Sequence, residues 1–176
     1  MTINTTKMYD NVMHKFKWGG VEKPGIYIEE TTMRMLKSQR SAIFASLADA
    51  LVNENKLDSA LKVLDRCVEV IPEENVPYDL NAMGIMTLYY ALGRRESGQQ
   101  IATSLINNML INIDWMLRLR PLQRETVLPL LNDNMRYLSM ILGHIGQYDN
   151  EFIQPFRERF NIYYNKYKSY YDTRSE

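Results

Sequence analysis

The sequence predicts an all-α fold, and three observations predict it. From Glu29 onward apolar residues recur three, four or seven positions apart, the spacing that one face of a helix requires. Acidic residues, Thr, Asp, Pro and Gly fall at the ends of those periodic stretches, where caps and stops belong. No segment sustains the period-two alternation of strand-forming residues.

Residues 9 to 27 stand apart. Trp18-Gly19-Gly20 and Lys23-Pro24-Gly25 carry the punctuation of turns, so this stretch reads as a short helix near Tyr9 to Lys15 followed by a looped arm. The first long helix opens on Glu29, Glu30, Thr31 and Thr32, where acids favour the helix dipole and Thr can cap. Met33, Leu36, Ile43, Phe44, Leu47 and Leu51 form its apolar stripe, which ends near Asn53 to Asn55. Asp58 caps the next helix, striped by Leu61, Leu64, Cys67, Val68 and Ile71 and closed by Pro72. After the connector Glu73 to Pro77, Asp79 caps a third helix that Gly93 ends as a left-handed stop. A fourth runs from Arg95 or Glu96 to about Leu119, with Ile101, Leu105, Met109, Ile113 and Met116 on one face. Pro121 suits the first turn of a fifth, whereas Pro129 predicts a kink or a break before a helix over Leu130 to Gly143. Asp149 or Asn150 opens a last helix carrying Phe152, Phe156, Phe160 and Tyr164 to about Tyr170, and the ends, Met1 to Lys7 and Thr173 to Glu176, are expected to fray.

The helices at 41 to 74 repeat a known pattern. The tetratricopeptide unit is a helix–turn–helix of about 34 residues with small residues at the crossing of its two helices and Pro at the exit. Phe44-x2-Leu47-Ala48-x2-Leu51, then Ala60-x3-Leu64, then Pro72 follow that order without insertion. Ala48 and Ala60 allow the axes to approach within about 8–10 Å, and Cys67 reads as a packed thiol one turn past Leu64. Ala82-x2-Ile85-Met86-x2-Tyr89, Gly93, Gly98 and Ala102 repeat the skeleton with Met86 in the small position and no closing Pro. The expected organisation is therefore a short N-terminal helix and looped arm over 1-28 and a helical-repeat domain over 29-176. In that domain the best repeat is 41-74, a degenerate repeat 79-112, and capping helices occupy 121-171, the antiparallel pairs stacking into a short right-handed superhelix. A generic helical bundle is the alternative.

In such stacks the first helix of each pair lines the concave face. Asp49 and Asn53, and on the third helix Met83, Thr87 and Tyr90, point away from the packing stripe and form the candidate partner-binding face, suited to an extended peptide or a partner's loop. The bland alternative is that these residues are simply solvated.

Other chemistry finds little purchase. With 21 basic and 21 acidic side chains the formal net charge is zero, which removes the long-range attraction that nucleic acid or anionic lipid would exert. His14 and His144 stand in no metal-ligand spacing, so no metal and no cofactor is expected. The acid pairs Glu29/Glu30 and Glu73/Glu74 read as solvated charges, and Gly143-His144-Ile145-Gly146 as a helix end rather than a phosphate loop. Arg118, Arg124 and Tyr137 are the remaining enzyme-like grouping. Arg157, Arg159, Lys166 and Lys168 interleaved with Tyr163, Tyr164, Tyr167, Tyr170 and Tyr171 read as a docked terminal helix rather than a lipid or base contact. Asn4-Thr5-Thr6 fits a glycosylation acceptor at chance frequency, no signal peptide opens the chain, and the longest uncharged run carries five amides that a bilayer core rejects.

Met8-Tyr9-Asp10-Asn11, Lys15-Phe16-Lys17-Trp18-Gly19-Gly20, Leu64-Asp65-Arg66-Cys67 and Val76-Pro77-Tyr78-Asp79 resemble the soluble C-terminal part of a bacterial membrane-protein family. That family is similar to protein O-mannosyltransferases and belongs with the multi-spanning C-type glycosyltransferases, and the resemblance runs from Met8 to about Leu142. It implies a non-catalytic interaction domain, outside the cytoplasm at the periplasmic face of the inner membrane, that presents acceptor protein or a partner subunit to a membrane-bound site. It also implies spanning helices and a catalytic carboxylate that this chain lacks, so that no catalytic residue carries over, and a natural chain that begins before Met1. The alternative is a free-standing cytoplasmic tetratricopeptide adaptor that binds a peptide segment.

Overall fold

The computed structural model describes residues 3 to 172, with side chains through residue 169, and among these every regular element is helical. Asn4 accepts a hydrogen bond from the Lys7 N–H and starts α1 (Thr5–Asp10), which widens into a π-helical turn, Asn11–Lys15. The helix thus begins where fraying was expected, and Thr5 is buried there, its hydroxyl donating to the Glu54 carboxylate at 2.8 and 3.0 Å. The looped arm follows as expected. Gly19, Gly20 and Gly25 all have positive φ, Trp18 stacks on Phe44 at 5.2 Å, and Asn75 donates to the Val21 and Lys23 carbonyls at 2.7 and 2.8 Å.

Glu29 caps α2 (Glu30–Gln39), its carboxylate accepting the Thr31 and Thr32 N–H groups, which also hold that carboxyl below its ordinary pKa. The helix continues through a second π-helical turn, Arg40–Ala45, into α3 (Ser46–Asn53). Asn55, with φ +57, turns the chain back into α4 (Leu57–Val70), so α3 and α4 pack antiparallel. Phe44, Leu47, Ala48, Ala60, Val63, Leu64 and Cys67 are wholly buried. After the connector, Asp79 accepts the Asn81 N–H at the head of a 3-10 turn, Leu80–Ala82, that leads into α5 (Met83–Ala91). Gly84 lies so close to the π-helical turn that a methyl group on it would stand 2.8 Å from the Ala45 Cβ. Gly93, with φ +75, stops α5 as the sequence predicts.

The chain divides into two compact units, the first ending at Leu105 and the second starting at Ile106, with α6 (Arg95–Arg118) continuous through the division. In the second unit, Pro121 opens α7 (Pro121–Tyr148), Asp149 is the single residue between helices, and α8 (Asn150–Asp172) folds back along α7. Leu131, Met135, Leu138, Ile141, Ile145 and Ile153 are buried there. Of the kink or break expected at Pro129, the break does not occur: α7 runs on through it. Pro129 sits on the exposed face, so the carbonyl it leaves unbonded turns to water rather than to the core. Gly143 likewise continues the helix rather than ending it; it is exposed and keeps an ordinary helical backbone.

Candidate functional site

Asp49 and Asn53 lie one turn apart on α3, both exposed, the Asn53 amide donating to Asp49 Oδ2 at 3.3 Å. Met83, Thr87 and Tyr90 share one face of α5 by spacing, and all three are half-buried. The Tyr90 ring faces α6 closely enough that a methyl group on Gly98 would meet its carbons at 2.8 Å, so Tyr90 packs as well as presents a surface. Of the enzyme-like grouping, Arg124 donates to the Leu117 and Leu119 carbonyls at 2.7 and 2.8 Å, closing the end of α6, and Arg118 pairs with Asp114. On α8, Arg157 donates to Asn150, Arg159 to Asn107, and the Tyr167 hydroxyl to Asn132 at 3.0 Å. The side chains of Tyr170 and Tyr171 lie outside the described residues. Among the described residues no group of three His, Cys, Asp or Glu side chains gathers as metal ligands, and no helix is long and apolar enough to cross a membrane.

What linear spacing does not show is a cleft of about 330 Å³ in the first unit, enclosed by α4, the connector, α5 and the first turns of α6. Its floor is apolar and aromatic, from Val68, Tyr78, Tyr89 and Ile101. Its polar groups are Asp65, Glu73, Ser97, Gln100 and Ser104. The Tyr89 hydroxyl donates to Asp65 Oδ1 at 2.9 Å and the Ser104 hydroxyl to Glu73 Oε2 at 3.1 Å, so each carboxylate is oriented by one hydroxyl. Burial, and then the charge of Asp65, pushes the Tyr89 phenol up, so it stays protonated and donates throughout the physiological range. Glu73, read from sequence as a solvated charge, is half-buried in the cleft wall, whereas Glu74 is exposed.

Behind that wall lies Arg40, wholly buried at the start of the π-helical turn. Its guanidinium donates to three carbonyls of the connector, Ile71 at 3.1 Å, Pro77 at 3.2 Å and Val76. It also sits 4.4 Å from the centre of the Tyr78 ring. Burial lowers the Arg40 pKa and raises those of Cys67 and Tyr78, each to about 12, with Arg40 pulling the latter two back. Arg40 is therefore the bolt that holds the connector, and with it Glu73 and Tyr78, in the shape of the cleft. The sequence signal for it was its position one turn from both Leu36 and Phe44, on the apolar stripe. π-Helical turns concentrate at functional sites.

Compared with known proteins, the chain matches no family model, no curated protein and no solved structure.

Proposed function

We infer that this chain is a non-catalytic helical-repeat module of the tetratricopeptide class that binds polypeptide. In this reading it is the soluble part of a membrane-bound glycosyltransferase-like protein, presenting acceptor protein or a partner subunit at the extracytoplasmic face. The observation that supports the repeat reading is the α3–α4 pair, in which Ala48 and Ala60, the small residues that the pattern puts at the crossing, are wholly buried together with Leu47 and Leu64. Small residues at that crossing are what the repeat pattern demands, and Ala82, Ile85, Tyr89 and Ala102 fill the corresponding positions of the next pair, all buried. The polypeptide-binding surface on this reading is the first-helix face, Asp49 and Asn53 on α3 with Met83, Thr87 and Tyr90 on α5.

Two measurements test it. Peptides selected from a displayed random library on the full chain should lose at least about tenfold in affinity to the Asp49→Ala/Asn53→Ala variant, whose melting temperature stays that of the parent because both positions are exposed. Unchanged affinity removes the first-helix face from the reading. An immunoblot of fractionated native cells should show a band well above 20.7 kDa confined to membranes. A soluble band at the chain's own size replaces the transferase connection with the free-standing adaptor.

A further inference from the structure

The cleft between Asp65 and Glu73 has a chemistry that the first-helix face lacks. Asp65 Oδ1 and Glu73 Oε2 are each held by a hydroxyl, and among the described residues the second oxygen of each carboxylate has no hydrogen-bond partner. Among the described residues no Lys or Arg side chain forms an ion pair with either acid. Close behind the wall, the Arg40 guanidinium is spent on three carbonyls and stacks on the Tyr78 ring. Tyr78 and Tyr89 supply aromatic surface beside the two carboxylates, and the volume of about 330 Å³ falls at the small end of ligand pockets.

We propose that this cleft is a recognition site for an arginine side chain of a bound polypeptide. A planar guanidinium donates to carboxylate oxygens in a fork, stacks against aromatic rings and is less strongly hydrated than an ammonium, which matches walls of this composition. Ser97 and Gln100 at the rim have side chains free to accept and donate to the same peptide's backbone. The source of the arginine rests on the polypeptide-binding reading, while the chemistry of the cleft does not.

The test uses the full chain and two blocked tripeptides, glycyl-arginyl-glycine amide and its citrulline counterpart, which has the same shape and no charge. Amide NMR shifts of Ser97, Gln100 and Ser104 are followed during titration. The arginine peptide should bind at least about tenfold more tightly than the citrulline peptide. The preference should vanish in Asp65→Asn/Glu73→Gln, which keeps an acceptor for Tyr89 and for Ser104 and so keeps the fold, checked by circular dichroism. Equal binding of the two peptides overturns the proposal, as does no shift at those amides, or a preference that survives the double variant. Library peptides that depend on Asp49 and Asn53, found together with equal binding of the two tripeptides, would support the first-helix face while overturning the cleft, so the two readings fail separately.

Discussion

In the unit that ends at Leu105, a wholly buried Arg40 ties the connector to a helix beside buried Cys67 and Tyr78, and Tyr89 is buried in the same unit. In the unit that begins at Ile106, the residues buried along α7 and α8 are almost all aliphatic or Met, and Asp149, a helix cap, is its one buried ionisable side chain among the described residues. Its Arg118 and Arg136 make exposed ion pairs with Asp114 and Asp133, and Leu122, Leu130, Met140 and Ile162 stand at the surface. The first unit has to hold a long connector that has no helix of its own to satisfy its carbonyls. The second has only short links, residues 119 to 120 and Asp149, between its helices, and Arg124 closes the first of them on the Leu117 and Leu119 carbonyls. Polar groups are buried in this protein where backbone would otherwise be orphaned.

The largest effect should come from removing the bolt. Arg40→Ala leaves three connector carbonyls without donors and opens a void, at a cost of about 3–5 kcal/mol in urea denaturation. Arg40→Lys should recover only a minor part, because one ammonium on a flexible stem cannot reproduce the fork or the stacking on Tyr78. Hydrogen exchange should locate the loss at amides of α2 to α5 and the connector. A cost under about 1 kcal/mol would show that the connector holds its shape without the guanidinium.

The next concerns pH. Burial raises the Cys67 thiol from its ordinary 9.0 to about 12, with Arg40 opposing. The folded chain therefore holds that proton more tightly than the unfolded chain. The resulting stability is whole below pH 9 and is lost as pH climbs from 9 toward 12. In Cys67→Ala the decline of stability above pH 9 should be shallower than in the parent, by a margin that approaches about 1.4 kcal/mol per pH unit between pH 10 and 11. Parallel slopes would mean that alkali opens this core before the thiol ionises.

The same difference between units explains what the sequence revealed. The all-α class, the caps at Asp79 and Asp149, the stop at Gly93 and the start at Pro121 were legible because each is local, whereas Glu29 rather than a Thr caps α2, and Asp58, expected as a cap, lies inside the first turn of α4 after Lys56. The break expected at Pro129 and the stop expected at Gly143 do not occur, and both residues are exposed, where the helix can continue past them. The cleft was illegible because Asp65, Glu73, Tyr89 and Ser104 come from four separate segments, and only the packing of the first unit sets them together. Asp49 and Asn53, one turn apart on an exposed face, were read directly from helical phase.

Glycine gives the comparison a sharper test at smaller scale. Gly84→Ala should cost a net of about 1–2 kcal/mol, since overpacking against the Ala45 Cβ at 2.8 Å exceeds the gain in helix propensity. The Ala45 methyl is fixed to the backbone of a π-helical turn and has no rotamer by which to retreat.

Gly143→Ala should do the reverse. A methyl group there meets nothing within 4 Å, and the residue already has a helical backbone in the middle of α7. The substitution removes conformational freedom from the unfolded chain without touching a neighbour, so stability should rise by about 0.5–1 kcal/mol. Thermal unfolding of the two single variants beside the parent makes the measurement, and opposite signs are the expected result. A loss at Gly143 would mean that this exposed stretch of α7 meets something in solution that the isolated chain does not show. That would make the surface carrying Met140 the next place to look for a partner.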